Sequence, residues 1–162
     1  MTLAAGTPLP DFSLPVDDGG TLTLASLAGR TTVLYFYPKD DTSGCTSEAK
    51  AFRDALPAFT EAGVAVIGIS VDPIASHIKF RTKHALNFPL ASDSEKALAT
   101  ALGLWVEKSM YGRKYMGLER TTLLIGGDGV IRHVWRKVKV PGHVADVLQV
   151  ARGLAAEQAA SA

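Results

Sequence analysis

The sequence predicts an α/β fold: a three-layer α/β/α sandwich with a central mixed sheet and an N-terminal β-hairpin. Three observations carry that reading. Thr31–Tyr37 and Val64–Val71 are breaker-free runs rich in β-branched and aromatic residues, the composition of strands buried on both faces. Between them Ala49, Phe52, Leu56 and Phe59 recur at spacings of three and four, which makes one apolar helix face. Later, Arg120–Ile125 and Val130–Lys137 read as two strands joined by Gly126-Gly127-Asp128-Gly129, a hairpin signal. Strand, helix and strand in that order make a right-handed βαβ unit with parallel pairing, and the late hairpin adds antiparallel strands.

In chain order, Phe12–Val16 and Thr21–Leu24 flank Asp17-Asp18-Gly19-Gly20 and form the small N-terminal hairpin. Thr31–Tyr37 is the central strand. The helix after it carries Pro57, which removes a backbone donor and is expected to bend the helix or end its regular part. Val64–Val71 follows, then a helix over Ile74–Leu86 and a short one over Ser94–Leu102 that Gly103 stops. A last helix starts near Pro141-Gly142-His143 and runs to Leu154, leaving Ala155–Ala162 as a frayed tail. The length, 162 residues, suits a single domain spanning 1–162, and no repeat or linker interrupts it.

Composition removes several functions. With 17 basic and 16 acidic residues there is no overall field to hold nucleic acid. Arg132–Lys139 is basic and contains Trp135, but it reads as a solvated strand face. Gly126–Gly129 lacks the Gly-Lys-Ser/Thr ending and following helix of a phosphate loop. No apolar run reaches the roughly 20 residues that span a bilayer, and Met1–Pro15 has no basic leader, so the chain reads as a soluble cytoplasmic protein without a membrane partner. His77, His84, His133 and His143 share no metal spacing and read as solvated or locally hydrogen-bonded; Asp40 and Asp41 read as turn formers rather than metal ligands. A single cysteine excludes an intramolecular disulfide and argues against a cysteine metal cage.

That cysteine has informative neighbours. Pro38-Lys39-Asp40-Asp41-Thr42-Ser43-Gly44-Cys45-Thr46-Ser47-Glu48 follows the carboxyl end of a buried strand and opens a helix, the edge where open α/β sheets bind ligands. In a first helical turn, unpaired backbone N–H groups carry partial positive charge and favour a thiolate. Full ionisation of a free cysteine raises its thiolate content at neutral pH only about 30-fold. Enzymatic accelerations are typically about a millionfold or more, so other groups must orient the substrate and stabilise developing charge.

The loop resembles the active-site loop of peroxiredoxins, in particular the bacterioferritin comigratory protein or peroxiredoxin Q subfamily. The family pattern Pro-x-x-x-Thr-x-x-Cys is matched by Pro38, Thr42 and Cys45, and the family's partner arginine by Arg120 within Glu119-Arg120-Thr121-Thr122. Pro10-Asp11-Phe12, Phe88-Pro89-Leu90, Met110-Tyr111-Gly112 and Trp135-Arg136-Lys137-Val138 extend the likeness from about Gly6 to Gly153. The resemblance implies a thioredoxin-like fold and a thiol-dependent peroxidase that reduces hydrogen peroxide and organic hydroperoxides in antioxidant defence, without a cofactor. It implies that Cys45 is the peroxidatic nucleophile and is oxidised to a sulfenic acid. Thr42 would hydrogen-bond the peroxide or thiolate, Pro38 would shield the sulfur, and Arg120 would hold thiolate and peroxide with a permanent charge. The Gly44 backbone N–H would polarise the O–O bond; Glu48 reads as a first-turn residue that complements the helix dipole, with a hydrogen-bonding role at the site as the alternative.

Two departures qualify the likeness. Ser43 stands where the family has proline, which loosens the turn. Lys50 and Arg81 stand where many members carry a resolving cysteine, so the chain resembles a one-cysteine peroxiredoxin. Its sulfenic acid then needs an external thiol: a low-molecular-weight thiol, thioredoxin, glutaredoxin, or a second subunit through a Cys45–Cys45 bridge. A monomer is expected, with a dimer as the alternative. Two other classes compete. A thioredoxin-type disulfide oxidoreductase would need cysteine at position 42, where Thr42 stands. A non-enzymatic redox sensor or holdase would capture a partner without turnover.

Overall fold

The computed structural model describes residues 3–161, with side-chain surroundings for residues 3–157. The central sheet has five strands: β3 (Thr32–Phe36), β4 (Ala65–Ser70), β5 (Leu90–Ser92), β8 (Thr121–Ile125) and β9 (Ile131–Trp135), in the order β5-β4-β3-β8-β9. β3, β4 and β5 run parallel, while β8 is antiparallel to β3 and β9 to β8. The mixed sheet and the Gly126–Gly129 hairpin are therefore as the sequence predicts. β1 (Ser13–Pro15) and β2 (Thr21–Thr23) form the N-terminal hairpin.

Every residue of β3 is buried, which explains its unbroken apolar composition. Alternation sends Val33, Tyr35 and Tyr37 to one face, where they meet Phe52 and Phe59 of α1 (Ser43–Glu61), Phe80 of α2 (Ile74–Lys83) and Val147 and Ala151 of α4 (His143–Ser161). Leu34 and Phe36 point to the other face, against the N-terminal hairpin and Leu98, Ala99 and Leu102 in and after α3 (Ala97–Ala101). The sheet thus separates two apolar layers, and the β3–α1 junction lies at its centre.

Three expectations are corrected, and one hairpin is added. Pro57 does not end α1, which continues to Glu61. Its missing N–H frees the Arg53 carbonyl one turn earlier, and the Asn87 side-chain amide donates to that carbonyl at 3.1 Å. The last helix, read as running to Leu154, extends to Ser161, and Ala-Ala-Glu-Gln-Ala-Ala beyond Leu154 is built from strong helix formers. The short third helix begins at Ala97, later than Ser94: Asp93 accepts from the N–H groups of Leu98 and Ala99 at 3.3 and 2.8 Å and fixes the start there. β6 (Trp105–Met110) and β7 (Arg113–Leu118) form a hairpin that the sequence reading left unassigned. Most of its residues are exposed, so no apolar alternation marks it. Its signal is the turn: Tyr111 and Gly112 have φ of 51° and 77°, the pair of positive angles that a two-residue hairpin turn requires. No described helix is long and apolar enough to cross a membrane.

Candidate active site

The site forms where β3 gives way to α1. β3 delivers Tyr37 and Pro38 to the carboxyl edge of the sheet, and the loop Lys39–Thr42 turns the chain into the helix. Asp41 takes the left-handed conformation at φ 60°, which aspartate tolerates better than most residues. Thr42 is the N-cap, and Cys45 lies in the first helical turn, 1% exposed.

Arg120 reaches this turn from the start of β8. One guanidinium nitrogen donates to Cys45 Sγ at 3.4 Å, and the other terminal nitrogen donates to Glu48 Oε1 at 2.7 Å. One cation therefore spans two side chains of α1 that sit three residues apart on the same helix face. Gly44 makes the approach feasible: a Cβ there would stand 3.1 Å from an Arg120 nitrogen. The sequence reading gave Gly44 a role through its backbone N–H; the structure adds that its missing side chain leaves room for Arg120.

Glu48 is fully buried, and its second oxygen, Oε2, has no hydrogen-bond partner among the described residues. Burial pushes its carboxyl up from 4.5 to about 7, against the pull of Arg120. Near neutral pH the carboxyl is therefore held between its two protonation states, and the protonated state leaves the Arg120 charge to the sulfur. Lys108 on β6 brings a second cation within electrostatic reach of Arg120 and Cys45; burial, then Arg120, lowers its pKa, while Cys45 raises it. Sequence reasoning missed Lys108 because its hairpin was not assigned. Glu119 turns away from the site to Arg136, at 2.9 and 3.1 Å.

The structure brings Cys45, Glu48, Gly44 and Arg120 together. The Thr42 hydroxyl instead donates to the Lys39 carbonyl at 2.9 Å and does not touch the sulfur. Pro38 is half-buried at the end of β3. Lys50 is exposed on α1, and Arg81 on α2 bonds Asp17 at 3.0 Å and the Leu86 carbonyl at 3.2 Å, so the second position is occupied by a structural tie.

The matching family model, described as the AhpC/TSA family, covers residues 5–134. The chain belongs to the AhpC/TSA family. Among its relatives, peroxiredoxin Bcp of Bacillus subtilis is 46% identical over 154 residues, 95% of this chain and 98% of that protein. Peroxiredoxin Bcp of Escherichia coli is 41% identical over 141 residues, 87% of this chain and 90% of that protein. Peroxiredoxin Q of Xanthomonas campestris superposes with a TM-score of 0.87 at 42% identity, covering 93% of this chain and 98% of that one. These relatives place this AhpC/TSA member among the Bcp and peroxiredoxin Q proteins, with a thioredoxin fold and one cysteine. The Xanthomonas protein carries cysteine at two positions, since serine variants of each have been crystallised.

One further side chain of this peroxiredoxin lies behind the site. His143 is buried, its Nε2 2.8 Å from Thr122 Oγ1. It is locally hydrogen-bonded, as expected, but not solvated. Burial pushes its imidazole down from 6.5 to about 4; Asp146 resists the fall and Arg120 adds to it. Between those values the unfolded chain holds more protons than the folded one, so stability rises with pH across the window. The contribution is fully present above about 6.5 and is lost as pH falls through about 4. It amounts to at most about 3 kcal/mol. Urea unfolding at pH 6.5 and pH 4.5 checks this: the wild type loses midpoint between the two, and His143→Gln, which keeps a partner for Thr122, loses clearly less. An equal loss in both proteins removes His143 from the acid response.

Proposed function

We infer that this protein is a thiol-dependent peroxidase in which Cys45 is the peroxidatic nucleophile. The observation that carries the reading is the Arg120 guanidinium seated on the lone, buried sulfur at a helix start, 3.4 Å from it. Membership of a family of peroxiredoxins supports it, as does the described alkyl peroxide reduction activity of the Xanthomonas bacterioferritin comigratory protein, 41% identical to this chain.

The thiolate attacks one peroxide oxygen. The S–O bond forms as the O–O bond breaks, leaving Cys45 as the sulfenic acid, and the departing oxygen takes a proton from solvent and leaves as water or an alcohol. Negative charge moves from sulfur to that oxygen, and Arg120 stands beside the sulfur to stabilise it along the way. Thr42, with its proton committed to the Lys39 carbonyl, offers lone pairs that accept from the peroxide O–H. The backbone N–H of Gly44 polarises the same bond, Pro38 limits water, and Glu48 positions Arg120. Cys45 is the chain's only cysteine, so an external thiol attacks the sulfenic sulfur and releases water; a second thiol then frees Cys45. Thioredoxin, glutaredoxin or a low-molecular-weight thiol supplies those equivalents. The reading includes a single domain, a monomer, a cytoplasmic location and no prosthetic cofactor.

Intact-mass analysis after one equivalent of peroxide tests it. The expected product gains one oxygen atom on Cys45 and, with added thiol, passes through a mixed disulfide back to the starting mass. A chain that takes up no oxygen at Cys45 sinks the reading.

A further inference from the structure

A second buried polar cluster holds the nucleophile loop, through Asp40. Asp40, five residues before Cys45, is 7% exposed, and His77 on α2 is fully buried. Their Oδ2 and Nδ1 atoms are 2.7 Å apart. Tyr37 Oη donates to Asp40 Oδ1 at 2.6 Å, and Ser76 Oγ donates to Oδ2 at 2.8 Å. On the far side of the ring, His77 Nε2 stands 3.0 Å from the Ala91 carbonyl of β5. The loop is also held through its backbone: Asp40 N–H donates to Asp72 Oδ2 at 2.8 Å, an oxygen that also accepts from Ser70 Oγ at 2.6 Å.

Hydrogen-bond stereochemistry fixes the proton count. A carbonyl only accepts, so Nε2 carries a proton toward Ala91. A neutral imidazole would then present the bare lone pair of Nδ1 to a carboxylate oxygen, two acceptors in contact. Tyr37 does not resolve that conflict, because burial and Asp40 hold its hydroxyl in the protonated form and its proton goes to Oδ1. One more proton must therefore lie between Nδ1 and Oδ2, and with Tyr37 and Ser76 both donating to the carboxyl oxygens the carboxylate form, with that proton on Nδ1, is the one the surrounding donors favour. Asp40 then accepts from Tyr37, Ser76 and His77, and each ring nitrogen has an acceptor.

We propose that Asp40 and His77 form a buried carboxylate–imidazolium pair that positions the nucleophile loop against α2 and so holds Pro38 and Thr42 in register with Cys45. A buried pair is weak evidence for stability, because desolvating two charges offsets much of their attraction; fixing one arrangement among several is its better-attested use. Here the pair joins the β3–α1 loop, α2 and β5; Asp72 brings a third candidate ligand atom within 4.8 Å of theirs, but its Oδ2 already accepts from Ser70 and from the Asp40 N–H. The pair rests on the peroxidase reading for its function but not for its protonation state.

The test uses the full-length reduced protein with ¹⁵N-labelled histidine. Long-range proton–nitrogen correlation at neutral pH is expected to show both ring nitrogens of His77 protonated, the signal being assigned by its loss in His77→Gln. A bare Nδ1 overturns the pair. In single-turnover reaction with hydrogen peroxide, Asp40→Asn and His77→Gln each slow Cys45 oxidation by about tenfold or more, since displacements of about 1 Å can cost up to about 100-fold. The double variant is no slower than the worse single one, because the two act as a unit. Wild-type rates in both single variants overturn the positioning role. Should either variant fail to fold, Ser76→Ala removes one bond to the same carboxylate; a two- to threefold slowing with unchanged far-UV circular dichroism is then expected, and an unchanged rate again overturns the role. A wild-type protein whose Cys45 ignores peroxide sinks the peroxidase reading instead, and leaves the His77 spectrum to stand or fall by itself.

Discussion

Replacing Cys45 by serine abolishes reductant-dependent peroxide consumption, a loss of about a thousandfold or more. Sulfur and oxygen are close in size, so the buried position of Cys45 accepts the change. The side chain is 1% exposed and one Arg120 nitrogen reaches it at 3.4 Å, and a hydroxyl oxygen accepts from that nitrogen as readily as sulfur does. What vanishes is nucleophilicity. A serine hydroxyl has no positioned general base here, and alone it is a weak nucleophile. No second thiol exists to take over the reaction. The comparison therefore separates chemistry from folding: thermal unfolding and circular dichroism stay close to wild type while turnover falls to the uncatalysed background. A serine variant that retained wild-type turnover would remove Cys45, and with it the whole site, from the mechanism.

The parts of this protein that bury apolar surface were legible in the sequence. β3 and β4 announce themselves because both faces are covered, and the face of α1 because Phe52 and Phe59 must meet Tyr35 and its neighbours. The loop and Arg120 were legible through family resemblance, as separate residues. Their geometry was not. No spacing rule brings residues 45 and 48 to one guanidinium from a strand more than seventy positions later, and none reveals that Gly44 makes room for it. The β6–β7 hairpin hid because its faces are mostly solvated, so charge and apolar residues do not alternate. Pro57 misled for a different reason: the missing donor is real, but Asn87 repairs the acceptor it leaves, and that contact spans 34 positions. Asp40 and Asp41 were read as a turn, which they form. The sequence did not disclose that each acidic side chain also meets a histidine of α2 or its C-cap, Asp40 meeting His77 and Asp41 meeting His84.

Arg120→Met lowers the second-order rate of Cys45 with peroxide by about 100- to 1000-fold, the scale on which removing one preorganised donor slows a reaction that moves negative charge. Two consequences compound. The sulfur loses its 3.4 Å partner, and the Glu48 carboxyl loses the one cation that holds its pKa down. Glu48 can respond because burial has already pushed it up to about 7: it takes a proton and becomes a neutral buried acid instead of an unpaired anion. The stability cost therefore stays at about 1–2 kcal/mol, below the ~3–5 kcal/mol of a buried pair broken to leave a charge. Arg120→Lys restores the charge but not the fork, since one ammonium cannot donate along both directions, to Sγ and to Oε1, in the planar geometry that guanidinium supplies. It recovers stability more fully than rate. Stopped-flow oxidation with hydrogen peroxide, run beside urea unfolding, gives both quantities for each variant. A Met variant that reacts at the wild-type rate would show that Arg120 only packs against the sulfur. A Lys variant with full activity would show that charge alone, without the forked geometry, carries the effect.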